Sequence, residues 1–453
     1  MCGIVGYVGD RQAAEFLLDG LSKLEYRGYD SAGIAVYDNG SIRVEKSVGR
    51  LSALRDKIKG NVPIGNIGIG HTRWATHGRP SDVNAHPHVD CHNDFAIVHN
   101  GIIENYLSLK EELIEKGHVF KSETDTEVVV HLLEDIYQGD FVAAVREVLR
   151  RIEGSYALAF MSRKHPDMLV CTKQDNPLII GLGEGENYIA SDIPAIISRT
   201  RRTYIMGDGE LAIVRKDSVE ITDRKGEPVA KKVFEVTWNA EAAEKGGYEH
   251  FMLKEIHEQP KAVRDTMSQR ITSDKKSISF EELSWTPEYL NSFNKIYIVA
   301  CGTAYHAGLV GKYYIEKMAR VIVEVDVASE FRYRDPIVDD KTLLIVVSQS
   351  GETSDTLAAL KESKRRGAKT LAITNVVGSS IAREADQVVY TWAGPEIAVA
   401  STKAYTTQLV LFFMLALYMA EIKGMIAPKR TAEVVEHLQE IPSQISEILS
   451  DVA

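Results

Sequence analysis

Cys2 follows the initiator methionine directly, and methionine is normally removed before a residue this small. The product would carry a thiol and a free α-amine on one residue, a nucleophile with its own base. An α-amine titrates at about 7.7–8.0, which suits proton shuttling at neutral pH without a separate histidine. The plain alternative is a small residue that opens a strand. A second concentration of chemistry is SQSGETSDT (348–356), between the apolar run TLLIVV and the helical pattern TLAALKESKRR. Ser348, Gln349, Ser350 and Thr353 can hold one phosphate there with hydroxyls and N–H groups, without a lysine. Cys301-Gly302-Thr303 ends the run IYIVA in the same way, and Ser401, Thr402 and Lys403 follow GPEIAVA. These three loops are expected to converge on one ligand; ordinary helix capping by Ser354 or Ser401 is the competing account. A third group is His86, His88, Cys91, His92 and His99. It invites a metal, but the acidic ligands and supporting carboxylates of a metal centre are not evident in the sequence. No CxxC pair exists either. The expectation is no metal and no cofactor.

Something must position these groups. Up to about residue 240, short alternating apolar segments separated by turns read as an α+β domain dominated by sheet. Arg11–Glu25 sets Ala14, Leu17, Leu18, Leu21 and Leu24 on one helical face. Phe141–Ile152 does the same with Phe141, Val145, Val148, Leu149 and Ile152. Leu211–Asp223 reads as a hairpin turning at Lys216-Asp217. Residues 238–250 (WNAEAAEKGGYEH) read as a linker. From Lys295 the rhythm becomes strand and helix in alternation, with apolar runs at 296–300, 321–325, 342–347, 370–374 and 387–391. Runs apolar on both faces imply a parallel sheet covered on both sides. An amphipathic pattern begins near Thr431.

The 453 residues suggest about three domain-sized units. Hydrophobic residues make up 44%, which excludes a wholly disordered or collagen-like chain. Lys plus Arg number 53 against 64 Asp plus Glu, a net charge of −11. Such a chain is a poor clamp for nucleic acid, although a few aimed N–H groups can still hold one small anion. Four scattered cysteines make no disulfide framework. The N-terminus MCGIVGYVGDRQ has no basic region and no long apolar core. The apolar run Leu409–Ala420 is shorter than the roughly 20 residues that span a bilayer. A buried helix, no membrane and a cytosolic location are expected.

CGIVG (2–6), LEYRGYDSAG (24–33), GHTRWATHG (70–78), NAHPH (84–88), HNGIIEN (99–105) and SETDTE (122–127) occur in this order. Together they resemble the glutaminase domain of the class II glutamine amidotransferases, which are N-terminal-nucleophile hydrolases, over essentially residues 2–240. The resemblance implies a four-layer αββα sandwich. It makes Cys2 the nucleophile on the side-chain amide of glutamine, with Asn100 and Gly101 as the oxyanion hole. It makes Arg73 the holder of the α-carboxylate and Asp125 the acceptor of the α-ammonium, with Thr76 and His77 lining the pocket. Arg73 in a surface ion pair, and Asp125 as the N-cap of TEVVVHLL, remain the structural alternatives. Trp74 resembles the residue that gates ammonia on its way to the second substrate; a pocket-wall tryptophan is its alternative.

SEFRYRDP, SQSGET and EIAVASTKAYTTQ resemble the sugar isomerase (SIS) fold. With the first half, they point to the family of glutamine–fructose-6-phosphate aminotransferases. The implied organisation is a glutaminase domain at 2–238, a linker with connecting helices at 239–287, a first SIS domain at 288–426, and a connecting segment at 427–453. The implied ligands are glutamine and fructose 6-phosphate, the latter on Thr303, Ser348, Gln349, Ser350, Thr353 and Ser401, in a homodimer. Ala304 stands where some relatives have Ser, and Ala398 where many have Gly. Family members carry a second SIS lobe, with the general base, a ring-opening histidine and lysines, which this sequence does not match. The resemblance implies an enzyme that transfers ammonia from L-glutamine to fructose 6-phosphate, giving D-glucosamine 6-phosphate and L-glutamate, in a chain that reads as C-terminally truncated. The alternative is a fragment that hydrolyses glutamine and binds sugar phosphate weakly without isomerisation. A SIS-type sensor is the alternative of another class. Such regulators usually carry a DNA-binding helix-turn-helix, and here the first half is a hydrolase instead.

Overall fold

The computed structural model describes every residue except Met1, Tyr26, Arg27, Thr76, 237–246, Gln269, Val452 and Ala453. The chain divides into two compact units, Met1–Ala240 and Glu241–Ala453. Most of the linker read at 238–250 lies outside the described residues.

The first unit is built on period two. Its larger sheet is antiparallel and runs Phe234–Glu235, Arg202–Ile205, Ile179–Leu182, Glu186–Ala190, Gly3–Gly9, Ile67–Arg73, Ser31–Asp38, Ser41–Val48. The second runs Val219–Thr222, Leu211–Arg215, Met168–Gln174, Gly154–Ser162, Phe95–Ile103, His88–Val89. Along Gly3–Gly9, Ile4 and Val8 face one way and Val5 and Tyr7 the other, as strand geometry requires. Ile4, Val8 and Ile69 pack against Val98, Ala159 and Leu169 of the second sheet, so the two sheets share one apolar layer. Val5 and Tyr7 meet Leu17 and Leu21 of the helix Ala13–Lys23 on the outer face. Ile97, Leu158 and Phe160 meet Val129, Leu133, Val145 and Val148 of the helices Glu127–Ile136 and Phe141–Arg151 on the other outer face. Helix, sheet, sheet, helix: the αββα order is present. The hairpin at 211–222 pairs Val214 with Val219, which closes the turn where it was read.

The second unit holds a five-stranded parallel sheet in the order Val323–Val327, Lys295–Ala300, Thr342–Ser348, Lys369–Thr374, Gln387–Tyr390. Ile296, Ile298, Leu343 and Ile345 meet Ala307 and Ile315 of the helix Gly302–Met318 and Leu411, Phe412 and Leu415 of Lys403–Ile422. Tyr297, Val299, Leu344 and Val346 meet Phe331, Leu357, Leu360 and Ile381 on the opposite face. Lys403–Ile422 is long and apolar enough to cross a membrane, but most of it is buried beneath this sheet as a core helix. The strand read at 321–325 is displaced to Val323–Val327. Val323 pairs with Ile296, while Ile322 is left 65% exposed.

Candidate active site

Strand parity brings the first site together. Cys2 precedes Gly3–Gly9 on the parity of Ile4 and Val8, and His71 and Arg73 share the parity of Ile67 and Ile69. Asn100 shares the parity of Ala96 and Val98 on the facing sheet. All four therefore belong to the layer between the sheets. Gly3 pairs with Thr72, which sets Cys2 beside the end of Ile67–Arg73. The Trp74 N–H donates to Cys2 Sγ at 3.2 Å. Burial pushes the Cys2 thiol up, and that N–H bond works in the opposite direction.

Asn100 Nδ2 donates to the Cys2 carbonyl at 3.0 Å. Its Oδ1 lies 3.0 Å from His71 Nε2, which is also 2.9 Å from the carbonyl of His99. Both partners are acceptors, so Nε2 carries the hydrogen and the neutral ring donates to both. Burial holds the His71 imidazole down to about 3, so it stays uncharged at neutral pH. His71 thereby fixes which end of the Asn100 amide faces Cys2. Nothing in the motif singles His71 out, because a histidine inside a buried strand reads as core. Gly101 follows with φ 131°, and a Cβ there would lie 2.0 Å from the carbonyl oxygen of Ser155. Only glycine fits.

Arg73 is 3% exposed, so it is no surface ion pair. Its Nη2 donates to the carbonyls of His77 and Gly78, which ties down the following turn. Its Nη1 is buried with no hydrogen-bond partner among the described residues. One end of the guanidinium thus secures the loop, and the other is left for an anion. Asp125 is not the N-cap; Thr126 holds that place before Glu127–Ile136. Asp125 Oδ2 instead accepts the Ile103 N–H at 2.8 Å, and Oδ1 lies 4.0 Å from His77 Nδ1. The His77 ring meets Tyr106 edge-on at 5.5 Å. Thr76 lies outside the described residues. Trp74 is 43% exposed, its ring packs edge-on against Tyr29 at 5.3 Å, and its backbone N–H reaches Cys2 Sγ.

The histidine group separates. His86 Nε2 and His99 Nδ1 meet Thr126 Oγ1 at 3.0 and 2.9 Å, and His88 Nε2 meets Thr124 Oγ1 at 3.1 Å. Burial lowers all three, so they are neutral ring partners to hydroxyls. Cys91 and His92 turn away from them, toward Glu134.

In the second unit, Ser348 ends the central strand Thr342–Ser348, where open parallel sheets place ligands. Its Oγ lies 2.9 Å from Thr353 Oγ1 and accepts the Gly351 N–H at 3.0 Å. Gly351 has φ 65°, and a Cβ would lie 2.0 Å from Ser379 Oγ. The Glu352 N–H donates to Ser350 Oγ at 3.2 Å, and the Gln349 carbonyl accepts from Asn375 N at 3.1 Å. The loop enters the helix Ser354–Arg365, whose first turn supplies further N–H groups. Thr353 is its N-cap residue, and its side chain makes no capping bond. Thr303 is exposed in the first turn of Gly302–Met318, while Ala304 is buried in the core.

Ser401 departs from the expected convergence. Its Oγ donates to Glu396 Oε2 at 2.9 Å. Glu396 Oε1 takes the N–H groups of Thr402 and Ala404 at 2.8 and 3.0 Å. A carboxylate of the same loop therefore fills the N-terminus of Lys403–Ile422, where an anion would otherwise sit. Glu255 accepts the Ile397 and Ala398 N–H groups, and Glu258 meets Lys403 Nζ at 2.6 Å, which hold this loop from the other side.

Residues 71–198 match the family described as "Glutamine amidotransferase domain", and residues 289–418 the "SIS domain" family. The chain is 59% identical over 451 residues to the glutamine–fructose-6-phosphate aminotransferase [isomerizing] of Caldanaerobacter subterraneus subsp. tengcongensis, covering 100% of this chain and 74% of that protein. It is 56% identical, with the same coverage, to the protein of that name from Clostridium perfringens. The solved C-terminal domain of glucosamine-fructose-6-phosphate aminotransferase from Francisella tularensis is 44% identical over 44% of this chain and 56% of that one, with a TM-score of 0.42. The chain belongs to the glutamine–fructose-6-phosphate aminotransferase (isomerizing) family.

Proposed function

We propose that the first unit hydrolyses L-glutamine and that the second binds fructose 6-phosphate, the acceptor of the ammonia in forming D-glucosamine 6-phosphate. With methionine removed, the α-amine of Cys2 takes the thiol proton and Sγ attacks the side-chain amide carbon. The developing oxyanion is held by Asn100 Nδ2 and the Gly101 N–H. The C–N bond then breaks, the departing nitrogen takes the proton back as ammonia, and the thioester is hydrolysed by water to glutamate. Arg73 Nη1 holds the α-carboxylate and Asp125 the α-ammonium, while His77 and Thr76 line the pocket. Thr303, Ser348, Gln349, Ser350 and Thr353 hold the sugar phosphate. The protein is proposed to act as a cytoplasmic homodimer.

The observation that supports this reading most is the Asn100 amide, turned by neutral His71 so that its NH₂ faces Cys2. An NH₂ group has two hydrogens, so one can bind the Cys2 carbonyl and one the substrate oxygen. The test is glutamate release from glutamine by the purified chain, with and without fructose 6-phosphate, alongside assay of glucosamine 6-phosphate. Hydrolysis lost in Cys2→Ala supports the nucleophile; hydrolysis retained refutes it. Amino-sugar production separates ammonia transfer from simple hydrolysis.

A further inference from the structure

Cys91, His118, His131 and Glu134 bring four donor atoms to one point on a face that the glutamine chemistry does not use. Cys91 sits in the turn between His88–Val89 and Phe95–Ile103. His118 lies in the loop after the helix Tyr106–Glu115, and His131 and Glu134 stand one turn apart on Glu127–Ile136. Cys91 Sγ lies 3.9 Å from His118 Nδ1 and 3.6 Å from His131 Nδ1. Glu134 Oε2 lies 2.9 Å from His118 Nδ1 and 3.2 Å from His131 Nδ1. Zinc bonds of about 2.3 Å to sulfur and about 2.0–2.1 Å to nitrogen and oxygen give tetrahedral edges of about 3.6 Å (S to N) and about 3.3 Å (N to O). The four separations lie within a few tenths of an ångström of those edges. All four donor atoms lie within 4.8 Å of one another, so four of the six edges are near coordination length before any ion is considered.

A second ring supports the first. Ligating histidines usually present their other ring nitrogen to a carboxylate. His131 Nε2 lies 3.7 Å from Glu127 Oε1, and His118 Nε2 lies 3.7 Å from Asp135 Oδ1. Glu127 is itself held by the N–H groups of Lys121 and Ser122, and Asp135 by Lys116. His131 is 1% exposed, and its Nε2 has no hydrogen-bond partner among the described residues. The Val119 N–H points at Cys91 Sγ at 3.5 Å, as for a thiolate ligand. Asp90 fixes the cysteine turn by accepting the Phe95 and His92 N–H groups.

We propose that Cys91, His118, His131 and Glu134 bind one divalent transition metal ion, with Zn²⁺ the best fit to thiolate, two imidazoles and carboxylate. Four protein ligands make a closed structural site rather than a catalytic one. On binding, the Cys91 proton leaves to solvent and each imidazole keeps its proton on Nε2, facing Asp135 or Glu127. Exposed His92, 2.6 Å from Glu134 Oε1, orients the free carboxylate oxygen. The ion would fasten the cysteine turn to the loop and helix on either side of Asp125, and so hold one wall of the glutamine site.

The test uses the purified chain carrying Cys2→Ala, so that the catalytic thiol cannot contribute, after dialysis against chelator. Titration with Co²⁺ should give one equivalent with the visible bands of a tetrahedral site and a sulfur-to-cobalt charge-transfer band. Zn²⁺ should displace it and raise the melting temperature. Cys91→Ser should remove the charge-transfer band and weaken Zn²⁺ more than tenfold. Asp135→Asn should weaken it by about tenfold. The metal-free melting temperature of Cys91→Ser should equal that of its parent, which shows that the fold is intact. Absence of stoichiometric binding, or a charge-transfer band that survives in Cys91→Ser, would overturn the proposal.

Discussion

Asn100 and His71 form one unit: the imidazole Nε2–H holds the amide oxygen at 3.0 Å, and this leaves the amide NH₂ to face Cys2. A flipped Asn100 would aim a lone pair at the oxyanion. The proposed oxyanion hole thus depends on a histidine that need not touch substrate.

Asn100→Ala should lower kcat for glutamine hydrolysis by about 10²–10³ with a smaller change in KM, the usual cost of one oxyanion donor. His71→Leu keeps bulk but removes the N–H, and should lower kcat by a lesser factor with the fold retained. Steady-state kinetics on both variants checks this. Equal losses in kcat and in melting temperature for His71→Leu would make its role purely structural.

Gly101→Ala should be more damaging than most surface glycine changes. A left-handed φ for a residue with a Cβ costs on the order of 1–3 kcal/mol, and the contact 2.0 Å from the Ser155 oxygen adds to that. Urea unfolding of the variant should show a lowered midpoint. An unchanged midpoint with full activity would contradict the assigned backbone geometry.

Acid should destabilise the first unit well above the carboxylate range. His71, His86, His88 and His99 are all held below their ordinary value of 6.5, mainly by burial. The unfolded chain therefore binds protons there that the native state refuses. Each such ring costs about 1.4 kcal/mol of stability per pH unit below about 6.5, until the native group itself protonates, near 3 for His71. Nearby Arg73 acts in the same direction on His71, His86 and His88. Urea midpoints should be steady from pH 8 to about 7 and fall between about 6.5 and 5. A flat profile over that range would rule out the buried neutral cluster.

Ser348 and Ser401 should separate in the proposed sugar-phosphate site. Removing a hydrogen bond to a charged group costs about 1.5–3 kcal/mol, so Ser348→Ala should weaken fructose 6-phosphate roughly tenfold to a hundredfold. Ser401→Ala should change affinity far less, because its hydroxyl is committed to Glu396. Calorimetric titration of both variants decides it. Equal weakening would return Ser401 to the phosphate.

Much of this was legible because strands have a period of two. The parity of Ile4 and Val8, and of Ala96 and Val98, already separates core faces. The apolar runs at 296–300 and 342–347 announce a sheet covered on both sides. What stayed hidden depends on side chains meeting across the chain. His71 reads as a core residue until its partner Asn100, 29 residues away, is in place. Ser401 reads as an anion donor until Glu396 folds back onto its helix. Cys91 and Glu134 are 43 residues apart on separate elements, so no short spacing betrays them, and the nearby His86 and His88 divert attention to a group that the fold disperses.

In the proposed mechanism Cys2 acts as an N-terminal nucleophile with its own amine. The direct measurement is glutamate release by two forms of the purified chain, one beginning at Cys2 and one retaining a short uncleaved extension before it. Mass spectrometry confirms each terminus. Hydrolysis is expected from the first form, with a pH limb near the α-amine's value of about 7.7–8.0, and none from the extended form. Equal glutamate release by both would contradict that mechanism.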